Sequence, residues 1–205
     1  MPRTSIKRPV KPERKKQTAA RRPVASRQPL ERVGLIEVGG KPATVVGADV
    51  AIGQRAPEFT AQANDWSEVR ALESTAGKVR IITALPSLAT SVCDGETKHF
   101  NQEAEGLGQD VVILAVSADL PPSQKNWCAA AGVHRVRTLS DHMAMEFGEK
   151  YGCWIKERRW LRRAVFVVDR RDTIVYAAYM PKLGAEPDYE EVLAAAKTAQ
   201  ASAGR

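Results

Sequence analysis

The strongest constraint on the fold is a near-continuously apolar run at residues 111–117, which suits a central strand covered on both faces of a sheet. A β-branched run at residues 78–85 predicts a second buried strand, and Pro86 ends it. Between them, residues 93–107 place apolar side chains at helical spacing. All apolar runs are far too short to cross a bilayer, so no membrane span is expected. Strand–helix–strand order of this kind predicts a layered α/β domain.

The remaining predicted elements are a hairpin at residues 35–46, a short strand at 59–63, a helix opened by Pro122 and closed by Gly132, a short strand at 135–139, a helix at 142–151, antiparallel strands at 163–168 and 173–179, and a helix at 187–198. The closing antiparallel pair makes the central sheet mixed. This order of elements predicts a thioredoxin-like three-layer fold with a mixed central sheet and an N-terminal β-hairpin extension.

Residues 1–30 differ from the rest of the chain in charge. They hold ten of the 31 Lys and Arg residues, one of the 24 acids, five of the 12 prolines and no aromatic residue. Such a segment buries too little apolar surface to offset its ordering entropy, so we expect a disordered basic tail at 1–30 and a folded domain at 31–205. The tail is either an arm for nucleic acid or another anionic surface, or a dispensable extension. It lacks the apolar stretch of roughly 7–15 residues that a secretory signal needs, and a cytoplasmic protein is expected.

The cysteine with the most informative surroundings is Cys93, at the predicted start of a helix and just after a buried strand. The positive end of the helix dipole favours a thiolate there. Thr90 lies one turn earlier and offers a hydroxyl, and Pro86 shapes the turn. Asp94 and Glu96 work against a thiolate, so a cation from elsewhere in the chain is expected. The alternative is that Cys93 is a small packed side chain, as free cysteines commonly are.

Other chemistries have weaker support. The three cysteines and three histidines show no spacing typical of a metal site, so no metal or cofactor is expected. A cysteine hydrolase would pair Cys93 with His134 or His142 as the base, but nothing local marks either histidine.

Pro86, Thr90 and Cys93 match the Pro-x-x-x-Thr-x-x-Cys signature, and the chain resembles the peroxiredoxins. The Ser-Ala-Asp-Leu-Pro run at residues 117–121, followed by Cys128, resembles the thiol peroxidase branch, also called atypical two-cysteine peroxiredoxins. The resemblance covers nearly all of residues 33–198. Leu85 departs from it, because an aromatic residue is usual at this position.

The resemblance implies a role for each of these positions. Cys93 would be the peroxidatic cysteine, which attacks a peroxide and becomes a sulfenic acid. Thr90 and Arg163 would hold the thiolate and the peroxide, in a pocket that Pro86 helps to shape. Cys128 would resolve the sulfenic acid as an intramolecular disulfide. The family also implies hydrogen peroxide and organic hydroperoxides as substrates, thioredoxin as reductant, and a homodimer.

Two features lie outside this pattern. Cys153 is an extra thiol, interpreted as a packed or semi-exposed bystander, with competition as a resolving partner as the alternative. The cationic, tryptophan-rich segment at residues 154–162 is a candidate anionic-surface contact. The competing function is a thioredoxin-fold binding module, tethered to nucleic acid or an anionic surface by its tail, with little peroxidase activity.

Overall fold

The computed structural model describes residues 28–202, so the predicted tail lies outside the described residues up to position 27. The elements are β1 (Glu31–Val38), β2 (Lys41–Val46), β3 (Thr60–Gln62), β4 (Glu68–Arg70), β5 (Val79–Ala84), α1 (Ser91–Leu107), β6 (Val111–Ser117), α2 (Pro121–Ala131), β7 (Val136–Ser140), α3 (Glu146–Lys150), β8 (Trp154–Ile155), β9 (Trp160–Leu161), β10 (Ala164–Val168), β11 (Ile174–Tyr179) and α4 (Tyr189–Ala201).

The central sheet has the strand order β11-β10-β5-β6-β7-β3-β4. The β5, β6 and β7 strands run parallel, and the outer strands pair antiparallel, so the sheet is mixed as predicted. Because both faces of β5 are covered, all of its side chains are buried.

Alternate residues of the central strands pack into two separate cores. Ile81 and Val167 lie in the core beneath α1 and α4, while Ile82 and Phe166 lie in the core on the opposite face. The side-chain period of two along a strand produces this division. The three-layer architecture follows from it.

The N-terminal hairpin β1–β2 joins a second sheet, in the order β1-β2-β8-β9. At its end, Gly47 adopts a φ of 94°, and a Cβ atom there would lie 1.8 Å from the carbonyl oxygen of Glu149. Only glycine allows this close approach of the hairpin to the end of α3. The hairpin extension is therefore fixed to the domain body.

Three details differ from the sequence prediction. The helix expected at residues 142–151 is only α3. Met145 adopts a left-handed conformation with φ of 53°, and the carboxyl group of Asp141 accepts the backbone N–H groups of Phe147 and Gly148. The β4 strand was missed, since it is short and polar. The strands β8 and β9 were missed as well, since two residues show no period.

Within residues 28–202, no helix is both long enough and apolar enough to cross a membrane.

Candidate active site

The candidate site lies where the parallel strands end. The loop after β5 carries Pro86 and Thr90 and leads into α1. Ala84 at the end of β5 pairs with Ala164 at the start of β10, and this register brings Arg163 beside the same loop. The carboxyl edge of parallel strands is a common location for binding sites in α/β proteins.

The Sγ atom of Cys93 receives hydrogen bonds from two side chains. The Thr90 hydroxyl donates over 2.8 Å and the Arg163 guanidinium donates from Nη2 over 3.1 Å. Cys93 is fully buried. One hydroxyl and one cation on a buried sulfur are the groups that stabilise a thiolate. Three of the sequence-predicted site residues are thus brought together, and Pro86 is buried in the adjoining loop.

Arg163 is held in place by its other nitrogens. Its Nη1 forms an ion pair with the Glu96 carboxylate, and its Nε donates to the carbonyl oxygen of Leu183 over 3.0 Å. Burial works against the charged guanidinium, but attraction to Glu96 and Cys93 outweighs it and raises the pKa of Arg163. The cation at the sulfur is therefore permanent and fixed in orientation.

The two acids that were expected to oppose a thiolate have other partners. Asp94 pairs with Lys98 over 2.9 Å on the helix surface. Glu96 is buried, where it receives hydrogen bonds from Thr83 and Arg163. Glu96 therefore positions the cation, a role that sequence reasoning missed because helical spacing alone does not show which way the carboxylate points.

Thr90 is the N-cap residue of α1, yet its side chain makes no capping hydrogen bond. Its hydroxyl lies 3.1 Å from the carbonyl oxygen of Ser87 and 2.8 Å from the Cys93 sulfur. The first N–H groups of a helix have no partner inside the helix. The hydroxyl serves the sulfur instead, so the first turn of α1 lacks this stabilisation.

Cys128 lies apart from this cluster, in the last turn of α2. It is half-buried and lines a cavity of about 430 Å³. Its sulfur is 3.5 Å from the Thr138 hydroxyl, and its carbonyl accepts the N–H groups of Gly132 and Val133 at the helix end. Cys93, Cys128 and Cys153 are all free thiols.

Asp119 links the two cysteine-bearing elements and was not predicted. Its carboxylate accepts hydrogen bonds from the Ser87 hydroxyl, the Leu88 N–H and the Ser117 hydroxyl. It precedes α2 by two positions. The signal in the sequence is its place in the Ser-Ala-Asp-Leu-Pro run at residues 117–121, where it is the acid just before a helix-opening proline.

The other candidate residues from the sequence, one arginine and two histidines, contact groups away from Cys93. Arg162 pairs with Asp49 over 3.2 Å and stacks on the Tyr179 ring at 4.4 Å. His134 and His142 contact the Gly132 carbonyl and the Ser140 hydroxyl. The hydrolase interpretation thus gains no histidine at Cys93 from the described contacts.

Cys153 is fully buried. Burial raises the pKa of the Cys153 thiol, and the nearby Arg162 charge, which acts in the opposite direction, does not offset it. The thiol therefore stays protonated, and a protonated thiol is a poor nucleophile. A packed bystander fits these surroundings.

Known proteins resemble this chain over most of its length. The Redoxin family model matches residues 51–193. The thiol peroxidase of Halalkalibacterium halodurans is 48% identical over 160 residues, which cover 78% of this chain and 95% of that relative. The thiol peroxidase of Oceanobacillus iheyensis is 51% identical over 152 residues, covering 74% of this chain and 92% of the relative. Among solved structures, a peroxiredoxin-like protein from Aquifex aeolicus superposes with a TM-score of 0.72 at 34% identity, covering 82% of this chain and 97% of that one.

Proposed function

The chain belongs to the thiol peroxidases of the Redoxin family, with a thioredoxin-like fold, and we propose that its reaction runs through Cys93 as the nucleophile and Cys128 as the resolving thiol. The observation that carries this proposal is the pair of donors, Thr90 and Arg163, on the buried sulfur of Cys93. The proposed substrates are hydrogen peroxide and organic hydroperoxides.

In the first step, the Cys93 thiolate attacks one oxygen of the peroxide, and the O–O bond breaks. The sulfur becomes a sulfenic acid, and the other oxygen leaves as hydroxide or alkoxide and takes up a proton. Arg163 stabilises the negative charge as it moves from sulfur to the departing oxygen. Because Glu96 and the Leu183 carbonyl fix its guanidinium, little reorganisation is needed at the moment of reaction.

In the second step, the Cys128 sulfur attacks the sulfenic sulfur of Cys93. The S–S bond forms, the S–OH bond breaks, and the hydroxyl leaves as water with the proton of the Cys128 thiol. A disulfide needs Cα atoms within about 7 Å. The two cysteines occupy the first turn of α1 and the last turn of α2, and their sulfurs contact different partners. We propose that these helix ends rearrange in each cycle so that the two sulfurs meet.

The cycle closes when a dithiol reductant, which we propose is thioredoxin, reduces the disulfide. The half-buried position of Cys128 beside an open cavity supports attack at this sulfur. Since thioredoxin works in reducing compartments, we also propose that the protein is cytoplasmic. A homodimer and an anionic contact through residues 1–30 remain expectations, which sedimentation and salt-dependent binding to nucleic acid would test.

Thiol mapping after a single turnover tests the proposed chemistry. The full chain is treated with one equivalent of hydrogen peroxide, and its peptides are mapped without reduction. We expect a Cys93–Cys128 disulfide with Cys153 still reduced, and Cys153→Ser serves as the matched control with the same product. A dominant disulfide to Cys153, or three unreacted thiols, would contradict the proposal. Unreacted thiols would favour the binding-module alternative.

A further inference from the structure

We propose that Asp119 is a positioning residue of the two-cysteine reaction, and this inference rests on the proposed function. Residues 86–90, which lead into α1 and are called here the Cys93 loop, are fastened by Asp119 to the start of α2. Asp119 thereby sets the rate at which Cys93 and Cys128 meet.

On the side of the Cys93 loop, the Asp119 carboxylate accepts two hydrogen bonds. The Ser87 hydroxyl donates to Oδ1 over 2.7 Å, and the Leu88 N–H donates to Oδ2 over 2.8 Å. Hydrogen bonds onto a charged carboxylate are stronger than neutral ones. The loop has no regular secondary structure, so these bonds are a main restraint on it.

On the other side, two contacts fix Asp119 itself, and a third reaches it through Ser117. Its Oδ2 accepts the Ser117 hydroxyl over 2.9 Å, and its carbonyl accepts the Ser140 hydroxyl over 2.5 Å. The buried amide of Gln124, on α2, donates to Ser117 Oγ over 3.0 Å. Asp119 is therefore anchored to β6, to β7 and, through Ser117, to α2.

A short path leads from Asp119 to the reacting sulfur. The carbonyl of Ser87 accepts the Thr90 N–H over 3.1 Å, and the Thr90 hydroxyl lies 2.8 Å from Cys93 Sγ. Breaking the Asp119 bonds frees Ser87, and with it the turn that holds Thr90 against the sulfur. The same event would release the first turn of α1.

In the described part of the chain, the N-cap residues of these two helices give their starts no such hold. The N-cap residues of α1 and α2, Thr90 and Leu120, make no side-chain capping hydrogen bond. Uncapped helix ends open at low cost. The closed arrangement at the start of α1 therefore depends on Asp119, and the rate at which this start opens depends on how tightly this residue holds the loop before it.

The opening rate decides between two fates of the Cys93 sulfenic acid. In one, Cys128 displaces the hydroxyl and forms the disulfide with loss of water. In the other, a second peroxide molecule transfers one oxygen to the sulfur, giving a sulfinic acid and water or an alcohol. A tight Asp119 bond network favours the second fate by delaying the first.

The test compares Asp119→Asn with the parent chain, both full length. Asparagine keeps the shape but turns one acceptor into a donor that faces the Leu88 N–H or the Ser87 hydroxyl. We expect disulfide formation after one equivalent of hydrogen peroxide to become about tenfold faster, as for the loss of hydrogen bonds to a charged group. Rapid quenching followed by mass analysis measures this rate, and excess peroxide should give correspondingly less sulfinic acid.

Two further variants separate this role from general destabilisation. Asp169 also accepts two backbone N–H groups, but in the β10–β11 turn, and Asp169→Asn should leave the rate of disulfide formation unchanged. Ser87→Ala removes one of the Asp119 bonds and should accelerate the step by a smaller factor, which also covers the case in which Asp119→Asn does not fold.

An unchanged or slower rate of disulfide formation in Ser87→Ala and in folded Asp119→Asn would overturn the inference. A parent chain that forms no Cys93–Cys128 disulfide would overturn the proposed function instead, so the two failures are distinguishable. Amide exchange at Leu88 gives an independent readout: we expect faster exchange in Ser87→Ala than in Asp169→Asn, and equal exchange would count against the role of Asp119.

Discussion

Arg163 donates a hydrogen bond to the sulfur of Cys93 over 3.1 Å, although 70 positions separate the two residues in the chain. The antiparallel register of β5 and β10 produces this contact, because the pairing of Ala84 with Ala164 aligns the chain just before β10 with the loop just after β5. The neighbouring Arg162 points to Asp49 instead, as alternation along an extended chain requires.

Arg163→Ala should slow the reaction of Cys93 with hydrogen peroxide by about 100-fold or more, because loss of one preorganised donor to developing charge typically costs this much. Stopped-flow measurement of the first oxidation step checks it. Arg162→Ala is the matched control and should react at the parent rate. Equal rates in the two variants would show that Arg163 does not act on the sulfur.

Cys93→Ser should abolish peroxide reduction, whereas Cys128→Ser should retain one turnover and stop at the sulfenic acid. The reason is that oxidation to the sulfenic acid needs Cys93 and not Cys128, whereas formation of the disulfide needs both cysteines. Peroxide consumed per protein molecule, followed with and without thioredoxin, distinguishes the two variants. Sustained thioredoxin-driven turnover by Cys128→Ser would remove this residue from the mechanism.

Glu96→Ala should destabilise the fold by about 3–5 kcal/mol, because it leaves the buried Arg163 without its carboxylate partner. Glu96→Gln should cost less, since the amide still accepts a hydrogen bond. Asp94→Ala, which removes an exposed pair with Lys98 on the same helix, should cost no more than about 1 kcal/mol. Urea denaturation at neutral pH gives all three values, and a similar loss for Asp94→Ala and Glu96→Ala would contradict the assignment.

Stability should depend on pH through Asp141. Burial raises the pKa of this carboxyl from 3.8 to about 7. Between these values the folded state keeps a proton that the unfolded chain has released, so stability falls as pH rises from about 4 to about 7. In the variant Asp141→Asn, the side chain at position 141 is an amide and cannot titrate.

The stability of Asp141→Asn relative to the parent should therefore improve by up to about 4 kcal/mol across that window. Denaturant titrations over this pH range check the slope, with Asp169→Asn as control. A constant difference between parent and Asp141→Asn would show that Asp141 is ionised throughout.

The sequence predicted the fold well where hydrophobic pattern alone decides structure. The β6 strand is a near-continuous apolar run, β5 is rich in β-branched residues, and α1 follows from apolar spacing. The prediction of α3 was too long because the left-handed backbone of Met145 depends on tertiary packing. The spacing of apolar residues does not indicate that the backbone at Met145 is left-handed.

The sequence predicted those residues of the candidate site that lie a few positions apart in the chain. Cys93 and Thr90 belong to one short segment, so a sequence pattern identifies them together. Arg163 needed the resemblance to the family, because only strand register brings it to the sulfur. Glu96 and Asp119 were missed as positioning groups, since their partners are distant in the chain and an acid in a sequence does not reveal the donor it meets.

The uncapped start of α1 has a consequence for anyone who engineers this protein for heat resistance. Asp is among the best N-cap residues, and exchanging a poor cap for a good one typically gains about 1 kcal/mol. At position 90 the same exchange would remove the hydroxyl from the Cys93 sulfur and put a negative charge beside it. A design procedure that scores only the folded state would choose the substitution that silences the site.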